Sequence, residues 1–202
     1  NDFMNKDLAN ISIGIGITGS FCTFAPMLDA LERLKSLGAN LIPVFSERAF
    51  TTDSRFGYSK DFYNKTAAIC NNRPVTSIPE AEPLGPKSMI DVFLICPCTG
   101  NTLSKLANGI CDSSVLMAAK STLRNNRPVI IFLSSNDSLG LNLKNIGTLI
   151  NSKNVYFVPF GQDNPASKPN SMISYFDLIP DTITEALNKS QLQPVCISPH
   201  KL

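Results

Sequence analysis

Asp91-Val92-Phe93-Leu94-Ile95-Cys96, continued by Pro97-Cys98-Thr99-Gly100-Asn101-Thr102, decides the fold class of this chain. After Asp91 the first run is apolar throughout and reads as a strand buried on both faces, the kind found in parallel sheets. The second run sets proline, threonine, glycine and asparagine at the carboxyl end of that strand, where a helix starts near Asn101. In an open α/β sheet that end faces the ligand crevice. A fixed turn, hydroxyl and amide groups and a fresh helix N-terminus together suit a planar polar heterocycle or a phosphate.

The flanking segments alternate between strand and helix patterns. Residues 11–17 form a first strand, and residues 21–37 carry Leu28, Leu31, Leu34 and Leu37 at helical spacing before Gly38, a suitable C-terminal residue. A second strand over 41–45 contains Pro43, which places it at an edge or marks its start. A helix over 59–71, a short strand near 75–78 and a proline-rich loop over 80–87 follow. Beyond the central strand come helices from Asn101 and over 113–123, a strand over 128–133 and a helix over 140–151. A strand over 155–158 closes the sheet, and the last helix has its core at 182–189. This order predicts a single three-layer α/β domain with a Rossmann-like, doubly wound parallel sheet over 11–190, between tails at 1–10 and 191–202. The turn-rich segment 159–170 is long enough to be functional or interfacial.

Composition narrows the class further. The chain has 202 residues, 43% hydrophobic and 17% charged, with a formal net charge of +2, too small to argue for nucleic acid. It has no tryptophan and 12 phenylalanines, which points to core packing rather than base stacking. Six cysteines without a CxxC pair, and one histidine, argue against a metal site and for a reduced, cytoplasmic protein. No run approaches the ~18–20 apolar residues of a membrane span, and residues 1–10 lack an apolar signal core. A native start at Met4 is compatible with the opening Asn-Asp-Phe-Met.

Two further segments bear on chemistry. Gly14-Ile15-Gly16-Ile17-Thr18-Gly19-Ser20 meets the first strand-to-helix junction, where backbone N–H groups and the Ser20 hydroxyl can bind an anion. The same glycines can instead simply permit a tight packing turn. The second strand ends at Ser46, beside Glu47 and Arg48, and a hydroxyl there suits a single phosphate better than an adenosine ribose. Lys105 lies a turn into the helix after Thr102. Asn108-Gly109 is a good helix end, and Asp112 and Ser113 are good caps for the next helix.

These elements, taken in order, resemble the homo-oligomeric flavin-containing cysteine decarboxylase superfamily. The shared pattern is a strand, Gly-x-Thr-Gly-Ser and a helix, then Pro97 with Asn101-Thr102, then Lys105-Leu106-Ala107-Asn108-Gly109 with Asp112. Within it the chain is most similar to the B-subunit family of dipicolinate synthases. That narrower likeness rests on Thr18–Thr23, Arg55-Phe56-Gly57, Ala81–Lys87, Leu116–Lys120, Arg124–Pro128, Asn136–Asn142, Pro159–Asp163 and Lys168–Met172. The resemblance implies a flavoprotein fold with FMN as cofactor. Gly19 and Ser20, with Thr18 beside them, would meet the phosphate, and Ser46 would be a second contact. Pro97, Thr99, Gly100, Asn101 and Thr102 would line the flavin, and Ser135, with Ser134 and Asn136, would approach it from the next strand end.

The resemblance also implies an oxidoreductase subunit in the cytoplasm of a sporulating mother cell. Its partner would be an A subunit resembling an NAD(P)-binding dehydrogenase, and the pair would make dipicolinate from a tetrahydro- or dihydrodipicolinate intermediate. The assembly would be a homo-oligomer, as is usual in the superfamily. Arg55 is the first choice for a substrate carboxylate, with Lys105 and Asn136 also in place. Decarboxylases of the superfamily use a histidine, but this chain has only His200, and Phe21 stands where relatives can carry one. No general base is evident beyond the loop carboxylates Glu82, Asp137 and Asp163. The competing reading is a non-catalytic subunit that activates or stabilises the A subunit.

Overall fold

The computed structural model describes residues 8–55 and 57–198; positions 1–7, Phe56 and residues 199–202, His200 among them, lie outside it, as does the side chain of Phe21. Strand β1 (Ser12–Ile17) leads through a 3₁₀ turn to helix α1 (Phe24–Ser36), then β2 (Asn40–Phe45), α2 (Glu47–Thr51), α3 (Ser59–Cys70) and α4 (Ile78–Ala81). The second half runs β3 (Val92–Cys98), α5 (Gly100–Ala107), α6 (Ser114–Arg124), β4 (Val129–Ser135), α7 (Leu143–Ile150), β5 (Val155–Phe157), β6 (Phe160–Gln162), β7 (Met172–Ser174) and α8 (Ile179–Leu187).

The strands alternate their side chains between two cores. Ile13, Ile15 and Ile17 of β1 and Val92, Leu94 and Cys96 of β3 face α1, α3 and α8, against Phe24, Leu31, Phe62 and Ile183. Phe93 and Ile95 of β3 and Val129, Ile131 and Leu133 of β4 face α5, α6 and α7, against Leu103, Val115 and Ile146. A strand buried on both sides has to be apolar at consecutive positions, which is why β3 and β4 were legible as unbroken runs.

The parallel strands lie in the order β2-β1-β3-β4-β5. This is the flavodoxin-type order, in which the chain reverses direction across the sheet between β1 and β3 and opens a crevice at their carboxyl ends. Proline-bearing β2 is the edge strand of that order, capped by a single bridge from Val44 to Val75.

The structure departs from the sequence expectation in several places. The strand expected near 75–78 is only that bridge, and 78–84 is helical: Ser77 accepts the Glu80 N–H, while Pro79 and Pro83 sit in first turns, where their missing N–H costs nothing. The central strand runs on through Pro97 and Cys98, with a register shift against β4 after Ile95. The sheet is not wholly parallel. β6 and β7 form an antiparallel hairpin, and β7 pairs with Ser134 and Ser135 of β4, just beyond where β5 stops. The segment read as a loop over 159–170 therefore begins as a strand. Ser113, not Asp112, caps α6 through the Leu116 N–H.

Among the described residues no helix is long and apolar enough to cross a membrane. Burial pushes the Cys70 thiol up to about 12 and those of Cys96 and Cys98 higher still, so none of these supplies a thiolate at neutral pH. Cys22 and Cys196 are exposed. Brief treatment of the native protein with iodoacetamide, read by peptide mass spectrometry, is expected to label Cys22 and Cys196 and to reach Cys70, Cys96 and Cys98 only after unfolding. Labelling of Cys96 or Cys98 in the native state would show that β3 opens readily.

Candidate functional site

At the β1/β3 switch point the strand ends are tied together by one buried side chain. The Thr18 hydroxyl donates to the Pro97 carbonyl at 2.7 Å and accepts the Thr99 N–H at 3.1 Å. It is thus fully engaged in fixing the two loops, and Pro97 is a buried strand residue whose carbonyl receives that bond. Thr99 caps α5: its Oγ accepts the Thr102 N–H at 3.3 Å, and Leu103 N–H reaches the Thr99 carbonyl. Gly100 and Asn101 therefore carry the open N–H groups of that helix end, where the helix dipole favours negative charge.

A cleft of about 470 Å³ opens beside this helix end. Gly19 from the loop after β1, Ser46 from the end of β2 and Arg48 from α2 line one side, and Asn101, Thr102 and Lys105 line it from α5. Ser46 accepts the Ala49 N–H and so caps α2 while keeping its own proton to donate. Arg48 packs so closely on Gly19 that a Cβ there would lie 2.9 Å from the arginine Cδ. Glycine at 19 lets the guanidinium stem cross the loop. Arg48 makes no ion pair with another described residue. Lys105 is paired with Asp112 at 2.8 Å across the rim.

A second, smaller cavity of about 120 Å³ lies between the β1 and β4 ends and the β6–β7 hairpin. Ser20, Ser135 and Asn136 line this one. Ser20 Oγ is 2.8 Å from Ser134 Oγ, which links the first loop to β4. Gly100 allows α5 to press against the same region, since a Cβ on it would lie 2.7 Å from Ser135 Oγ and 2.9 Å from Asp137 Oδ1. Hydrogen bonds from Ser135 and Asn142 hold the Asp137 carboxyl below its ordinary range, so it is a fixed anion rather than a proton carrier near pH 7.

The residues expected at one flavin site are thus distributed. Thr18, Gly19, Ser46, Thr99, Asn101 and Thr102 surround the cleft, with Lys105 on its rim. Ser20, Ser135 and Asn136 belong to the second cavity, and Pro97 and Gly100 act through packing. Arg55 lies in an exposed turn closed by the Ser54–Gly57 bridge and lines neither space. Glu82 is paired with Arg124 at 3.0 Å, and Arg127 donates to Ile90 O, ahead of the amino end of β3 and far from the crevice. Arg48 and Asp112 were missed as cleft residues. Their signal was position: one lies just past the carboxyl end of the edge strand, the other faces Lys105 across a helix break.

A phosphate-bearing planar ligand suits this donor set. The cleft offers an arginine, a hydroxyl and open N–H groups, together with an amide that can both donate and accept.

Comparison with known proteins gives consistent results. The family model described as Flavoprotein matches residues 3–187. The dipicolinate synthase B subunit of Bacillus subtilis is 48% identical over 185 residues, covering 92% of each chain. The crystal structure of the dipicolinate synthase B subunit from Bacillus halodurans has a TM-score of 0.87 at 47% identity, covering 95% of this chain and 98% of that one. An FMN-dependent cysteine decarboxylase has a TM-score of 0.65 at 20% identity, over 89% of this chain and 98% of its own, a likeness of fold.

Proposed function

Because this chain belongs to the flavoprotein family and is a homologue of the dipicolinate synthase B subunit, we propose that it is the B subunit of a dipicolinate synthase and holds FMN in the cleft at the β1/β3 switch point. The observation that carries this reading is the donor set of that cleft, gathered at the sheet position where α/β proteins of this strand order take their ligands. Arg48, the Ser46 hydroxyl and the Gly19 backbone would hold the phosphate. Asn101 and Thr102 would face the ring, with the amide of Asn101 able to meet both a carbonyl and a ring N–H. When bound, the flavin would supply the two-electron acceptor that aromatising a dihydropyridine requires.

The protein's own part is position and charge. The Thr18 hydroxyl keeps the two strand-end loops in register, and the Lys105–Asp112 pair fixes the rim. An NAD(P)-binding A subunit would complete the enzyme, and a homo-oligomer in the mother-cell cytoplasm is its proposed setting.

The test is a titration of the purified chain with FMN, followed by flavin absorbance and fluorescence, then assay with and without the A subunit. Stoichiometric binding supports a flavin site on this chain. Absence of binding, with activity arising only from the pair, supports the non-catalytic role instead. Asn101→Ala is expected to weaken FMN binding roughly tenfold while leaving the unfolding transition in place, because an exposed amide is lost and the core is untouched. Unchanged affinity in the folded variant removes Asn101 from the site.

A further inference from the structure

We infer that Asp137 is a positioning residue: its carboxylate supplies the negative charge that the start of α5 attracts, so that end of the cleft receives an uncharged ring and the anionic end of the ligand goes to Arg48. This rests on the proposed flavin reading only for the identity of the ring. Gly100 is the first residue of α5, and a Cβ on it would lie 2.9 Å from Asp137 Oδ1. The carboxylate therefore lies against the first turn of a helix whose Gly100 and Asn101 N–H groups have no intrahelical partner. A negative charge in that place is favourable and offsets the positive end of the helix dipole. Asp137 lines neither the cleft nor the second cavity, so it acts through α5 and not by touching a ligand.

The charge is held in place by neutral donors. Ser135 Oγ donates to Asp137 Oδ1 at 2.6 Å, and Asn142 Nδ2 donates to the same oxygen at 2.9 Å. Asn142 holds the N-cap position of α7, yet its side chain caps nothing there. Its amide goes to Asp137 instead, and its Oδ1 accepts Asn145 Nδ2 at 2.8 Å. Asn142 and Asn145 are both buried, so this chain of amides ties the carboxylate to the first turn of α7. The loop also braces itself: Ser138 Oγ donates to Ser135 O at 3.0 Å, and Gly140 N–H to Asp137 O at 2.9 Å. Among the described residues Asp137 forms no ion pair, which leaves the helix end as the positive partner of its charge. The cation on α5 itself, Lys105, is taken by Asp112. Across the cleft Glu47 and Arg48 stand side by side in the lining without forming an ion pair, so the guanidinium is open to an anion.

Asp137→Asn isolates the charge, because an amide oxygen can accept the same two hydrogen bonds. Asp137→Glu keeps the charge. Asp137 is exposed, so neither change disturbs the core. The full-length protein, without added flavin, is titrated with inorganic phosphate while its backbone amide resonances are followed by NMR. In the parent protein phosphate is expected to move the amides of Gly19 and Arg48 and to leave those of Gly100 and Asn101 in place. In Asp137→Asn the amides of Gly100 and Asn101 should move as well, and Asp137→Glu should behave as the parent does. Phosphate at Gly100 and Asn101 in the parent, or none there in Asp137→Asn, overturns the inference. The second readout is the redox equilibrium of bound FMN against a reference dye. Reduction adds negative charge to the ring, so Asp137→Asn should raise the ratio of reduced to oxidised flavin about fivefold at a fixed dye potential, with Asp137→Glu restoring it. A ratio unchanged in Asp137→Asn also overturns the inference, since a role in packing alone predicts that result. FMN that fails to bind counts against the flavin reading alone, and the phosphate titration then decides the role of Asp137.

Discussion

Replacing Phe93 by alanine is expected to lower the unfolding free energy by about 3–5 kcal/mol, the range for deleting a buried phenylalanine. The ring is fully buried and lies across β1. A Cβ on Gly14 would meet Phe93 Cδ2 at 2.7 Å, and one on Gly16 would meet Phe93 Cζ at 2.7 Å and Val115 Cγ1 at 3.0 Å. The glycines of the first strand therefore answer to a side chain on the neighbouring strand, which occupies the space theirs would fill. Gly16→Ala alone should cost about 1–3 kcal/mol through overpacking. Combined with Phe93→Leu, which removes ring volume, it should cost clearly less than the two single changes summed. Urea unfolding with unchanged slope reads all of these variants. Strict additivity of the pair would show that ring and glycine do not share that space. The packing also bears on the cleft, because β1 and β3 carry the loops of Gly19 and Thr99 at their ends.

That contact shows what was legible in the sequence and what was not. The glycines at 14 and 16 were visible inside a strand pattern, but their cause is a residue distant in sequence, which no local pattern contains. Strands β3 and β4 were plain, since burial on both faces demands consecutive apolar residues. The β6–β7 hairpin was not, because its strands span only Phe160–Gln162 and Met172–Ser174 and are set among turn-forming residues. Alternation has no room to show itself over so few positions. The helical turns over 78–84 were hidden by Pro83, read as part of a loop over 80–87 although proline is well placed in a first turn.

The location of the candidate site was legible, because the carboxyl ends of parallel strands are fixed by topology alone. Its division into two spaces was not. Gly19 and Ser20 are adjacent, yet one borders the larger cleft and the other turns to Ser134. Such a split depends on loop direction, which composition does not encode. Arg55 shows the opposite case, a residue singled out by its local sequence and set apart by the fold. Its glycine-containing loop looked functional, and the structure places it in an exposed turn away from both spaces.

Arg48 was overlooked as a cleft residue, and it carries the largest effect expected at the site. Arg48→Ala should weaken FMN binding by about tenfold to a hundredfold, the loss of a hydrogen-bonded charge worth roughly 1.5–3 kcal/mol. Riboflavin, which lacks the phosphate, should bind the variant and the parent protein about equally. The reason is the geometry of the cleft: the guanidinium stem lies on Gly19, beside the Ser46 hydroxyl, and no described carboxylate forms an ion pair with it. Arg48 is exposed and outside both cores, so the variant should unfold at nearly the same denaturant concentration as the parent. Arg48→Lys should recover only part of the affinity, because an ammonium lacks the planar fork that grips two phosphate oxygens. The difference between FMN and riboflavin should also shrink as salt is raised, since exposed charges are screened. Equal losses for FMN and riboflavin in Arg48→Ala would mean that the residue shapes the ring's seat instead. No loss for either would move the phosphate away from the Gly19–Ser46 end of the cleft.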